Sequence, residues 1–138
     1  MTIRNMDSYI KNLWNWEILD GCFGKSKTAV SDIDGIIERH GQFLVIEAKS
    51  AGKDIPMGQS ILLSALAKLD AFKVLIVWGE PGHVVAMARW PGSMFDATNE
   101  TFRSEVAAWY KKADGGARSI RGPHEATPKD WGDDYAAR

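Results

Sequence analysis

Residues 30–49, VSDIDGIIERHGQFLVIEAK, decide the fold. Two runs rich in β-branched and apolar residues, 30–38 and 42–49, flank Arg39-His40-Gly41. Glycine supplies the positive φ that a tight hairpin turn requires, so the stretch reads as two antiparallel strands. With His40-Gly41 as a two-residue turn, Arg39 pairs with Gln42. Counting outward, Asp34 falls across from Glu47, and Asp32 falls across from Lys49. Side chains alternate along a strand, so all four project from one face. Opposed Cβ atoms in such a ladder stand about 4.5–5.5 Å apart. The opposite face carries Ile33, Ile37, Leu44, Ile46 and Ala48 and reads as core.

Two carboxylates held that close repel one another, and opposed like charges destabilise a sheet. A hard divalent cation removes the conflict. Mg²⁺ prefers oxygen ligands and commonly takes one or two protein carboxylates, completing its shell with water and substrate phosphate. A metal so held lowers the pKa of a bound water and neutralises charge on a phosphate. Lys49 faces the same side two residues beyond Glu47. Its ammonium is placed to orient an attacking water or to stabilise developing negative charge.

Outward from this hairpin, residues 7–20 read as a helix capped by Asp7 or Ser8. Ile10, Leu13, Trp14 and Ile18 form its apolar stripe, and Gly21 ends it. Residues 21–28 and 51–56 read as loops, and residues 57–70 as a strongly apolar helix. Residues 73–78 and 83–89 read as strands, separated by a Gly79–Gly82 turn. Residues 99–112 read as an amphipathic helix capped by Asn99, with Phe102, Val106 and Trp109 or Tyr110 inward and Lys111-Lys112 suited to its C-terminal dipole. The tail from Ala113 reads as irregular, with Trp131 and Tyr135 as docking residues. This order specifies an α/β sandwich with a mixed sheet. It forms one domain over 1–138, with its core at about 8–112.

Composition narrows the function classes. The chain has 138 residues, 45% hydrophobic and 25% charged, which is ordinary for a globular protein. No apolar run approaches the ~20 residues a membrane helix needs. The N-terminal stretch has no signal-peptide pattern. A lone Cys22 excludes an internal disulfide and a cysteine-rich zinc site, and fits the reducing cytoplasm. His83 and His124 lack partners at ligand spacing, and His40 reads as a turn residue. The net charge of −1 gives no basic footprint for nucleic acid, although metal-binding carboxylates would offset basic residues elsewhere. Six tryptophans are many for this length and point to core or interface packing.

Asp34 followed by Glu47-Ala48-Lys49 at the end of a buried strand resembles the signature of the PD-(D/E)XK nuclease superfamily. The layout is similar to archaeal Holliday-junction resolvases and VRR-NUC nucleases. The resemblance covers roughly residues 8–80. It implies a restriction-endonuclease-like αβββαβ core with a mixed central sheet flanked by helices. It further implies a Mg²⁺- or Mn²⁺-dependent endonuclease that hydrolyses DNA. Glu17 matches a family glutamate on the first helix, and Gln59 matches a glutamine that opens the helix after the lysine strand. In that scheme Asp34, Glu47 and the Ala48 carbonyl hold the metal, and Glu17 contributes directly or through water. Lys49 positions the nucleophile, and Gln59 supports Lys49 or the substrate backbone. Lys25, Lys27 and Lys53 fall on loops that such a fold places near the carboxylates, where they would contact DNA phosphates. A homodimer suits the cutting of two strands, and the twofold dimer is the commonest assembly. Three departures stand out. The signature proline is absent, with Ile33 before Asp34. The family's first core strand has to fall within 21–30, a weak strand sequence. The C-terminal third carries no matching motif. The alternative reading is a nuclease-like fold that binds nucleic acid or protein without cutting.

Overall fold

A computed structural model describes residues 5–116. The chain divides into two units, Met1–Asp32 and Ile33–Arg138. In the first, α1 (Met6–Lys11) starts where the Asn5 side chain accepts a hydrogen bond from the Ser8 backbone N–H. It stops after two turns. The Asn12 side-chain amide donates to the Ser8 carbonyl at 2.8 Å, and Asn15 accepts from the Glu17 N–H at 3.1 Å. Asparagine side chains that bond to nearby backbone offer the chain an alternative to helix. The single helix expected over 7–20 is therefore broken, and only a short 3₁₀ turn, Glu17–Leu19, follows. Ile10, Leu13, Trp14 and Ile18 are exposed rather than forming a packed stripe. Residues 21–30 contain turns and extended chain but no strand.

The second unit is a mixed five-stranded sheet with helices on both faces. Its first hairpin joins β1 (Gly35–Arg39) to β2 (Gln42–Ser50) in the expected register, from Arg39–Gln42 out to Gly35–Ile46. His40 and Gly41 have φ of 51° and 81°, as a type I′ turn demands. Gly41 also donates its N–H to the Glu38 carboxylate at 2.9 Å. The first strand begins at Gly35, later than the expected residue 30.

After β2, α2 (Met57–Ala67) crosses over, and β3 (Phe72–Glu80) returns parallel to β2. Adjacent β4 (His83–Arg89) and β5 (Phe95–Asp96) complete the sheet in the order β1-β2-β3-β4-β5. The two-residue β5 has no strand signature in its sequence. The last helix, α3 (Asn99–Gly115), is capped by Thr98, not Asn99, through a reciprocal bond with Thr101. Asn99 instead ties the β3–β4 turn to the helix, accepting from Val84 N–H and donating to the Gly82 carbonyl. The helix continues through Ala113, where an irregular tail was expected, because Ala113 is buried with Trp109 against the sheet. Tyr110 turns outward. Trp131, Tyr135 and His124 lie outside the described residues.

Alternation along the strands splits the core in two. Leu44, Leu75, Val77 and Met87 pack beneath α3 with Trp109 and Ala113. Val45, Val74, Ile76, Trp78, Ala86 and Ala88 pack beneath α2 with Leu63. The expectation of a single core face for the hairpin fails for this reason. Val45, on the same face as Glu47, is fully buried, whereas Ile33, Ile37 and Ala48 on the supposed core face are exposed. Among the described residues, no helix is long and apolar enough to cross a membrane.

Candidate active site

The site lies at the carboxyl end of β2, on the face covered by α2. Parallel strands β2 and β3 end here side by side, with Glu47 next to Ile76 and Lys49 next to Trp78. The carboxyl ends of parallel strands are where open α/β sheets place their ligand sites. Burial of Val45 and Ile76 fixes β2 from below, so the next residue on that face, Glu47, is held rigidly. It is 3% exposed and is the one buried charged residue among those described.

Asp34 reaches Glu47 by an unexpected route. The β1–β2 ladder stops at Gly35–Ile46, one residue short of direct opposition. The Asp34 side chain then takes over from the backbone. Its Oδ2 accepts a hydrogen bond from the Ala48 N–H at 2.9 Å. In a strand, one residue's N–H and C=O point to the same edge. The Ala48 carbonyl is thus directed toward the edge that Asp34 occupies.

Three groups converge on Glu47. Gln59, in the first turn of α2, donates from Nε2 to Glu47 Oε1 at 2.6 Å. Lys49 Nζ stands 3.5 Å from the same oxygen. Asp34 is close enough for its carboxylate to act on Glu47. Burial, then Asp34, push the Glu47 carboxyl above the usual glutamate range, against the opposing pull of Lys49 and Gln59. Two acids and one ammonium leave an excess of negative charge around the buried Glu47.

The donor set fits a hard divalent cation. Two carboxylates and a backbone carbonyl at one strand edge suffice for Mg²⁺, which fills its remaining positions with water. Gln59 Oε1 is buried without a hydrogen-bond partner, so an acceptor is left free beside the acids. Among the described residues no group of three or more His, Cys, Asp or Glu side chains could hold a metal, so the protein's share is limited to this pair.

The other sequence candidates fall elsewhere. Glu17 opens the 3₁₀ turn of the first unit instead of lying within a helix. Lys25 and Lys27 are exposed on the coil of that unit, and Asp32 ends it. Within the second unit Lys49 pairs with Glu47. Lys53 is exposed on the loop between β2 and α2. Its backbone carbonyl accepts from the Trp78 indole N–H at 2.8 Å. Trp78 was not singled out from sequence. It is 7% exposed and pins the loop that carries the chain from Lys49 to Gln59. The one available signal was its position at the end of the apolar run KVLIVW.

The fold and site together define a mixed α/β domain in which a buried glutamate meets an exposed aspartate and a half-buried lysine at the end of the central parallel pair. Comparison with protein-family models, curated proteins and solved structures finds no significant match to the chain.

Proposed function

We propose that the protein is a Mg²⁺- or Mn²⁺-dependent nuclease of the PD-(D/E)XK type, hydrolysing DNA phosphodiester bonds as an endonuclease on a restriction-endonuclease-like core. The layout favours the Holliday-junction-resolvase or VRR-NUC kind, acting in the cytoplasm as a homodimer. One observation carries the proposal. Glu47 is buried against Asp34 with Lys49 3.5 Å from its oxygen, an arrangement that costs stability and has no packing rationale. Perturbed acids of this kind cluster at functional sites.

Asp34, Glu47 and the Ala48 carbonyl would hold the cation. When bound there, the cation would acidify a water and neutralise phosphate charge. Gln59 keeps Glu47 Oε1 turned toward Lys49. Lys49 holds the water's oxygen or the phosphate oxygen that gains charge, one ammonium serving a centre otherwise lined by acids. Lys25, Lys27 and Lys53 are the proposed backbone contacts, a sequence-independent share of affinity that weakens as salt rises.

The rival, a domain that binds without cutting, draws on the absence of a third acidic ligand among the described residues. Magnesium sites on phosphate substrates routinely manage with two carboxylates. Cleavage of plasmid and branched DNA with Mg²⁺ or Mn²⁺ decides between them. Lys49→Ala and Asp34→Ala are each expected to lower the rate by ~10²–10³-fold or more, the range seen when one preorganised stabilising group is removed from a transition state. Equal cleavage by all three proteins would refute the assignment.

A further inference from the structure

A second cleft lies at the same strand ends, on the opposite face of the sheet. It has a volume of about 620 Å³, within the usual range for ligand pockets, and lies between the ends of β2 and β3, the β3–β4 turn and the first turns of α3. The backbone of 48–50 separates it from the carboxylates, which project to the α2 face. Of the residues of the carboxylate site, Ala48 and Lys49 also line it.

Its shape has a definite origin. The β3–β4 register shifts between Trp78 and Gly79, a bulge of the kind that gathers next to functional sites. Gly79 has φ 155°, and any Cβ there would collide with the His83 carbonyl, so the turn closes tightly only with glycine. Asn99 then locks the turn to α3 through Val84 and Gly82. The cleft is thus a rigid feature with two anchored walls.

Its lining selects a class of ligand. Val77 and Phe102 give an apolar floor, and the aromatic residues Trp78 and His83 also line the cleft. Arg103 is exposed at the rim and has no hydrogen bond or ion pair among the described residues. Glu80 also lines the cleft, which opposes a phosphate there and provides an acceptor for an exocyclic amine. A neutral aromatic group with polar edges satisfies all of these. We infer that the cleft receives one unpaired nucleobase of the DNA strand whose phosphate lies at Glu47 and Lys49. This rests on the nuclease reading and narrows it to substrates with an unstacked base beside the cut: junctions, flaps or strand ends. Flat ring stacking on Phe102 and the Arg103 guanidinium would supply the binding, as aromatic platforms do for single strands.

The test is binding in EDTA, where no cutting occurs, with oligonucleotides carrying 2-aminopurine either unpaired or inside a duplex. The wild-type protein is expected to quench the unpaired probe at least about twofold and to leave the paired probe unchanged, as stacking on an aromatic platform requires. Ser50→Phe fills the cleft from an exposed position, and Arg103→Ala removes the guanidinium. Each is expected to weaken binding of the unpaired-base oligonucleotide ~10-fold, the loss typical of one stacking partner, with duplex affinity unchanged. Wild-type affinity in both variants, or no quenching, would overturn the inference. Metal-dependent cutting with no quenching removes the cleft and leaves the nuclease. Quenching without cutting supports the cleft as a base site and removes the nuclease.

Discussion

Glu47 and Glu105 are two shielded acids on opposite faces of one sheet, and they are shifted in opposite directions. Glu105, on α3, meets Arg89 in a close ion pair and stands 3.4 Å from Lys73. The Arg89 hydrogen bond, outweighing partial burial, holds its carboxyl below the usual glutamate range. Glu47 meets another acid and a single lysine, and its carboxyl is pushed up. The first arrangement ties a helix to strands β3 and β4. The second pulls against the fold that contains it. Glu105 is matched by two cations of the protein itself, whereas Glu47 has one lysine and a second acid beside it, the kind of perturbed acid on which the proposed metal site rests.

This contrast breaks if the two acids respond alike to removal. Glu105→Ala is expected to cost about 1–2 kcal/mol at neutral pH, a charge-assisted bond discounted for the solvent around Lys73 and Arg89. A depressed carboxyl contributes stability above its ordinary pKa and loses it as pH falls through the lowered value. The penalty of Glu105→Ala, followed by urea unfolding, therefore fades in acid. Glu47→Gln is expected to do the reverse and on a smaller scale. A raised carboxyl stabilises only below its ordinary pKa, and that contribution is lost as pH rises through the raised value. The metal-free variant should thus be more stable than wild type at neutral pH, seen as a higher Tm. The gain disappears in acid, and saturating Mn²⁺ reverses the order by stabilising wild type alone.

Much of this was legible in residues 30–49. The His40-Gly41 turn fixed the hairpin register, and the register brought Asp34, Glu47 and Lys49 toward one place. Gln59 came only from the resemblance, which expects a glutamine at the start of the helix after the lysine strand. The handover from β1 backbone to the Asp34 side chain was hidden, because strand ends depend on whether neighbouring groups find partners and not on propensity. The N-terminal helix was misread since the Ile10–Ile18 stripe has helical spacing, while Asn12 and Asn15 bond to the backbone and stop it. The two-faced core was missed because a parallel pair buries both sides of its strands, and β2 and β3 become a parallel pair only through the α2 crossover. Trp78 and the α3-side cleft depend on long-range contacts that no local pattern encodes.

Titration calorimetry of the purified protein with Mn²⁺, alongside Glu47→Gln, addresses the central claim most directly. Metal held between Asp34 and Glu47 predicts saturable heat from the wild type that is lost in the variant. No heat from the wild type, or equal heats from both proteins, would contradict it.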